Sequence, residues 1–416
     1  HTRYISVTGV QTCALPISGA ISDLTGGTGG IDVSSDTTLK GNSTFSGGVK
    51  LYSGVLTFGS SSSSTAAGSS GPLGTGPLVI STAGGGYFRG LATLGAQMIA
   101  NPVTFEVADQ PYIYRFGTGS LTLTGPVSLN SSIALSMNSE PLYLNGVVSG
   151  AGGFSSSGPG VVVLNPASGS NTFTGGVTVD FGRFVFGSAS ALPAAGAALV
   201  SGYNGYIGYG SNTGAIQSDF LARFDKAATS GAIGLDTFVG GKLNQDPAGS
   251  VTLFSQQLNL TGFSSTARIG SASTARLSGS IIPADNVYSF GGGGGWLEVS
   301  SAMADVATGA TSLSVASPSW APLTLRLSGT NSFTGGAVVE SSALVFGNGP
   351  LPASGSFLLK SGAYAGSESV PFGGSTAMDT FLGRLVVGTS GVMVGVDVAP
   401  GGSVFPVTAK IGRAHV

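Results

Sequence analysis

The sequence predicts an all-β chain, a right-handed parallel β-helix (β-solenoid) with irregular insertions, and three observations carry that expectation. Apolar residues fall in short β-branched and aromatic runs bounded by Gly, Ser, Asn or Pro. Charged residues make up 8% of the chain where ~25% is usual for a globular protein, while Gly alone supplies 71 of 416 residues. One pattern also recurs three times at a fixed internal spacing, the mark of an array whose units bury their apolar faces against each other.

Taken in order, residues 1–18 read as non-native. The run Val7-Thr8-Gly9-Val10-Gln11-Thr12-Cys13-Ala14-Leu15-Pro16-Ile17 back-translates without a break to a common short-read sequencing adapter, and His1-Thr2-Arg3 fits its flank. Residues 411–416, Ile411-Gly412-Arg413-Ala414-His415-Val416, fit the reverse strand of the same adapter. Contiguous matches at both ends in opposite orientation identify translated adapter, to be set aside before fold reasoning. Residues 1–17 and 411–416 are therefore expected to pack against nothing. Cys13, His1 and His415 all lie in these ends, so the segment from about Gly19 to Lys410 holds neither residue type. Disulfides, Cys nucleophiles, His bases and His or Cys zinc sites are excluded together.

The remaining chain divides into residues 19–204, a solenoid with repeat copies one and two; 205–320, a poorly matched continuation; and 321–410, a solenoid with copy three. Removing Arg3 and Arg413 leaves 14 basic against 18 acidic residues with no basic cluster, which argues against nucleic acid as a partner. Disorder is disfavoured by an apolar fraction of 41% with positive mean hydropathy. Those apolar residues form runs such as Leu78-Val79-Ile80, Leu121-Thr122-Leu123, Val161-Val162-Val163-Leu164, Phe184-Val185-Phe186, Leu323-Thr324-Leu325 and Leu385-Val386-Val387. The runs are shorter than the roughly 9–11 residues of a barrel strand, and none approaches the ~18 apolar residues of a membrane helix. No direct membrane insertion of this segment is expected.

Copy one of the repeat runs Gly41-Asn42-Ser43-Thr44-Phe45-Ser46-Gly47-Gly48-Val49 and continues to Phe58-Gly59. Copy two is Gly169-Ser170-Asn171-Thr172-Phe173-Thr174-Gly175-Gly176-Val177, continuing to Phe186-Gly187; copy three is Gly329-Thr330-Asn331-Ser332-Phe333-Thr334-Gly335-Gly336-Ala337, continuing to Phe346-Gly347. In each, the two phenylalanines are 13 residues apart. Alternation puts Phe45, Phe173 and Phe333 inward with small polar neighbours outward, and each Gly-Gly is expected to supply the positive φ of a sharp corner. Asn171 and Asn331 suit turns in which an amide caps backbone groups. Copies two and three also share distal features, Phe220-Leu221-Ala222-Arg223 against Phe381-Leu382-Gly383-Arg384, and Gly231 to Asp236 against Gly391 to Asp397.

The stretch Gly146-Val147-Val148-Ser149-Gly150-Ala151-Gly152-Gly153-Phe154, then Gly158-Pro159-Gly160-Val161-Val162-Val163-Leu164, then the copy-two corner and Gly187-Ser188-Ala189-Ser190-Ala191-Leu192 resembles the autotransporter-associated β-strand repeat. That family's motif is a Gly-Ser-Gly-Gly turn, a short leucine-rich strand, an Asn-Thr-Tyr-Thr-Gly-Gly corner and a closing strand. Here Phe stands for the usual Tyr, and Asp180-Phe181 replaces Asn and a small residue. Copy two matches along nearly its whole length, copy three over its second half, and copy one more loosely. The resemblance implies a non-catalytic structural or adhesive passenger rod, exported through an outer-membrane barrel to a bacterial surface or the extracellular space. It implies surface glycans, or host or neighbouring cell surfaces, as partners.

The alternative is a carbohydrate-active β-helix enzyme, a polysaccharide lyase or hydrolase. Its nearest constellation is Asp219, Arg223 and Asp225 beside Lys226, which equally suits a solvated turn. Gly26-Gly27-Thr28-Gly29-Gly30-Ile31-Asp32 is near a calcium-repeat pattern with its Asp one place late. The five glycines at 291–295 lack the Lys-Ser/Thr of a phosphate loop. Trp296, Trp320, Tyr203, Tyr206 and Tyr209 could stack sugars, although buried or turn aromatics are commoner. No catalytic, cofactor-binding or metal residue is assigned and no cofactor is expected.

Overall fold

A computed structural model of the chain describes residues 3–7, 16–81, 88–106, 112–211, 216–246, 248–347, 351–352, 354–368 and 380–396. The described residues are nearly all-β, 43% strand and 4% helix, and their parallel stacked sheets form a β-solenoid of about 13 turns. Among the described strand pairs only Phe238–Val239 with Lys242–Leu243 is antiparallel. Each coil presents up to three short strands separated by corners, as in Val103–Glu106, Tyr112–Arg115 and Leu121–Leu123, followed one coil later by Val127–Leu129, Ile133–Met137 and Leu142–Leu144. Val103, Val127 and Val148 lie in register, 24 and then 21 residues apart, so one circuit takes little more than twenty residues. Alternation turns Leu121 and Leu123 inward and Thr122 outward, and the same holds for Leu325, Leu327 and Arg326. One column runs inside the solenoid through Phe184, Ile207, Ile233, Ile269, Phe290, Val315, Val339 and Leu359, each but the last resting on the next coil's residue. All are buried, and their apolar contacts hold the coils together. Among the described residues no helix is long and apolar enough to cross a membrane.

The three repeat copies build one corner. Residues 43–46, 171–174 and 331–334 alternate buried and exposed, and Phe45, Phe173, Phe333, Phe58, Phe186 and Phe346 are all buried. The residue before each first phenylalanine donates its N–H to the preceding coil: Thr44 to Ile21 O (2.8 Å), Thr172 to Val148 O (2.9 Å) and Ser332 to Met303 O (2.8 Å). Asn171 accepts from Val148 N (2.8 Å) and donates to Ala191 O (2.7 Å), tying three coils together. Ser43 holds the equivalent place and accepts from Ile21 N at 3.1 Å, so a hydroxyl does half of the amide's work. Asn331 donates to Gly329 O instead.

Two expectations need correcting. Positive φ occurs at Gly48 (73°) and Gly336 (78°) but at neither Gly175 nor Gly176. There a Cβ would collide with the Gly152 and Gly153 backbone on one side and Ala198 O on the other. Close approach of neighbouring coils, rather than turn conformation, explains that glycine pair. Secondly, residues 1–17 do not all lie free. Arg3–Val7 forms a strand parallel to Gly29–Val33, and Ile17 bridges Leu39 and packs partly against the core. A terminal coil offers a row of unpaired N–H and C=O groups, which an extended segment of any origin can satisfy. Residues 411–416 lie outside the described residues.

The same edge physics explains the serine-rich insertion after Phe58. The strand Gln97–Ile99 pairs on one side with Leu121–Leu123, and among the described strands it has no strand on the other. Residues 61 and 62 cover that side: Ser62 N donates to Met98 O, while the Ser61 and Ser62 hydroxyls accept from Met98 N and Ala100 N.

Candidate functional site

A buried polar cluster lies on the outer face of the solenoid, where the chain between residues 205 and 320 lays segments over the sheet. The strand Leu199–Tyr209 turns Tyr206 outward, and Gly208 and the stacked Gly234 leave room for its ring, since a Cβ on either would overlap it. Tyr206 Oη donates to Asp236 Oδ2 at 2.7 Å. Asp236 Oδ1 accepts from Ala272 N and Ser273 Oγ, both at 2.9 Å, and Ala272 N also reaches Tyr206 Oη. Burial pushes the Asp236 carboxyl up to about 6, against the opposing pull of its hydrogen bonds and of Arg183. Tyr206 is raised well above its ordinary value, by burial first and then by the Asp236 charge. Arg183 donates to Gly293 O and Pro159 O and lies over Trp320, 5.7 Å from the ring; desolvation lowers its pKa. Tyr143, Val161, Val163 and Val185 complete a second apolar core beneath this cover. Its hydrogen bonds run to backbone groups or among its own side chains, so the cluster fastens the covering segments to the coils.

The residues singled out by sequence distribute as follows. Asp219, Arg223 and Asp225 line a cleft of about 360 Å³ beside the backbone of residues 195–198. Arg223 is committed to carbonyls, donating to Asp219 O (2.6 Å), Pro193 O (2.8 Å) and Ala194 O (2.9 Å). Arg384, its counterpart in copy three, donates to the carbonyls of Pro352, Ser354 and Gly355. The pair therefore caps the same corner in two modules, and the shared Phe-Leu-x-Arg string reflects that structural task. Asp225 Oδ1 accepts from Ala228 N, and Lys226 donates to Thr261 O. Gly231 to Asp236 closes the strand Ala232–Leu235; its counterpart ends at Asp397, outside the described residues.

Asp32 stands beside Lys50 in the register of adjacent coils, and among the described residues no three His, Cys, Asp or Glu side chains converge as metal ligands. Asp23 serves the copy-one corner, accepting from Gly29 N (2.6 Å) and Ser46 N (3.1 Å), and Asp305 serves copy three by accepting from Thr311 N (2.7 Å) and Thr334 N (2.9 Å). Hydrogen bonding lowers both pKa values, led by the Ser46 side chain for Asp23 and the Thr311 N–H for Asp305. The glycines at 291–295 pass over the coils below, where a Cβ on Gly293 would meet Ser271 O. Tyr206 and Tyr209 are buried, whereas Tyr203 is exposed with the Arg268 guanidinium 4.6 Å from its ring.

Sequence reasoning missed one surface feature. Phe88, Tyr114 and Phe116 form an outward cluster, with Phe88 and Tyr114 stacked at 4.8 Å and Tyr114 and Phe116 at 5.9 Å. The signal was period-two alternation in Ile113-Tyr114-Arg115-Phe116, which places Tyr114 and Phe116 opposite to Ile113 and Arg115.

Comparison with protein-family models, curated proteins and solved structures returns no match. The fold and these contacts define the class, a parallel β-solenoid whose motif residues build its corners and fasten its cover.

Proposed function

We propose that this chain is a stretch of a non-catalytic structural or adhesive passenger rod from a bacterial autotransporter-like surface protein, displayed on the cell or released outside it. The observation that carries this reading is the use made of the repeat's polar residues. Ser43, Asn171, Arg223 and Arg384 bond to the backbone of neighbouring coils or corners, so the motif encodes stacking. A rod needs such continuity along its axis, whereas a lyase or hydrolase needs carboxylates free to face a substrate. Its partners in this reading are surface glycans, or host or neighbouring cell surfaces.

The test has two arms. The chain is placed between an export signal and an outer-membrane barrel, and surface exposure is followed by protease shaving of intact cells. Purified chain is incubated with polysaccharides and assayed for new reducing ends and for unsaturated products. The expectation is surface exposure without products. Product formation that disappears in Asp219→Asn or Asp225→Asn would replace this reading with the enzyme.

A further inference from the structure

The ordinary rule of a β-solenoid, apolar side chains inward and polar ones outward, is inverted at two adjacent coils. Arg89 and Arg115 point into the core, 1% and 2% exposed, and Arg115 lies among leucines and isoleucines. In register, Arg89 stacks on Ile113, and Arg115 lies between Leu91 and Met137. Among the described residues neither makes an ion pair. Arg89 donates to Ser81 O, and Arg115 to Leu91 O, Thr93 Oγ1 and Gly119 O. At the ends of the same strands Phe88 and Phe116 lie on the outer surface, 40% and 37% exposed, and each packs against the other and against the Tyr114 ring. Burying arginine and exposing phenylalanine both oppose folding. A sequence that breaks the same rule on both faces of the same two coils marks a place selected for something other than stability.

The surroundings say what the aromatic surface fits. Gly90 is its floor: a Cβ there would stand 3.0 Å from both the Phe116 ring and Val55, so the missing side chain lets the ring lie across the coil. The outward column runs Val55, Gly90, Tyr114, Ser136 and Ser157, passing from apolar through aromatic to hydroxyl side chains. The outward positions of the five stacked strands from Gly54–Phe58 to Phe154–Ser157 carry no charge. A polyanion would find no cation here, since both arginines face inward. Flat aromatic rings, whose faces attract the slightly positive C–H groups of a pyranose, beside rows of hydroxyls suit an uncharged chain of sugars.

We propose that Phe88, Tyr114 and Phe116 form a binding platform for a neutral polysaccharide. The inference deepens the passenger reading by placing a glycan contact on the rod, but it concerns purified protein, so it can fail while surface display succeeds and the reverse. The experiment is affinity electrophoresis of the full chain in gels containing laminarin, hydroxyethylcellulose, galactomannan or dextran, with alginate as the polyanionic control. Phe88→Ala, Tyr114→Ala and Phe116→Ala are run beside the parent, with circular dichroism confirming that each remains folded. At least one neutral polymer should retard the parent, and Phe88→Ala and Phe116→Ala should each weaken that interaction by about tenfold or more, a binding change of ~1.4 kcal/mol. Retardation by none of the neutral polymers overturns the proposal, as does retardation by alginate alone or retardation unchanged in the variants. Self-association in the ultracentrifuge that is lost in Phe116→Ala, without retardation by any neutral polymer, would also overturn it and assign the patch to a second copy of the chain.

Discussion

Phe173 meets Phe154 edge to face, ring centroids 5.5 Å apart, and stands fully buried between coils. Truncation to Ala removes that ring without any partner able to fill the space, so Phe173→Ala should cost roughly 3–5 kcal/mol in denaturant unfolding. Hydrogen exchange should rise in the adjacent coils and not in those beyond, because each rung touches only its neighbours. Asp236 gives a second prediction. Its folded-state value of about 6 lies above the ordinary value of 3.8, so the ionised form is penalised in the folded chain. That penalty is present above about pH 6, on the order of 3 kcal/mol, and vanishes as pH falls towards 3.8. Asp23 and Asp305 are shifted the other way and lose stabilising contacts on acidification, so the comparison must be with Asp236→Asn at each pH. The stability of the parent minus that of Asp236→Asn should rise on going from pH 7 to pH 4; a flat difference would show that the carboxyl is not buried. Phe173 was legible because repetition fixed its place. Asp236 was not, since its partners come from coils 30 and 36 residues away and only the outward glycines 208 and 234 hinted at a ring lying across them.

At the scale of strands and corners, alternation was readable almost everywhere it was regular. The Leu-Thr-Leu and Val-Val-Val-Leu runs became the strands Leu121–Leu123 and Val161–Leu164 bounded by their flanking turns, and the exposed-buried order of the corner followed the motif in all three copies. What alternation does not reveal is the partner of an edge. Residues 3–7 and the serines at 61 and 62 both dock where a stack would otherwise leave backbone groups unpaired, and neither has a composition that announces it. The strand Tyr112–Arg115 shows how a regular pattern can carry an unusual polarity. Burial lowers Arg115 to about 10, and its stacked neighbours in the column are Leu91 and Met137. Taking a charge out of water costs several kcal/mol, and where no opposite charge offsets it a hydrophobe of similar length avoids that cost. Arg115→Met, which copies the next residue in the column, should therefore keep or raise the unfolding midpoint. A loss beyond about 1 kcal/mol would mean that the bonds to Leu91, Thr93 and Gly119 outweigh the desolvation of the guanidinium.

Across the whole molecule the modules are related by a rotation that sequence spacing alone could not disclose. The second strand of copy one, Gly54–Phe58, leads coil by coil to residues 177–179, the first part of copy two. Residues 183–186 of copy two lead in turn to Ala337–Glu340, the first strand of copy three. Each copy thus enters the stack one face later than its predecessor, which is possible because a corner needs only a suitable coil beneath it. This makes a deletion informative. Joining residue 168 directly to Gly329 would bring Phe333 against Phe154 and set Ala337–Glu340 and Ala343–Phe346 on the strands Phe154–Ser157 and Val161–Leu164. Those strands now carry the equivalent parts of copy two. The inward residues Leu344 and Phe346 would replace Phe184 and Phe186, a change that keeps the core apolar and nearly preserves its volume. The deletion removes six strands of one stack, from Val177–Phe186 to Ser312–Ala316, and should shorten the solenoid by about 30 Å at ~4.8 Å per rung. It also strips the cover from Tyr143, Val161 and Val163, so Val161→Thr and Val163→Thr should accompany it to keep the outer face soluble. Small-angle scattering and circular dichroism should then report a shorter, folded β-rod, because repeat stability is close to a sum over nearest neighbours. Collapse of the whole chain would instead show that the cover fastened by Asp236, Tyr206 and Arg183 is needed well beyond the coils it touches, and that the molecule folds as a single unit.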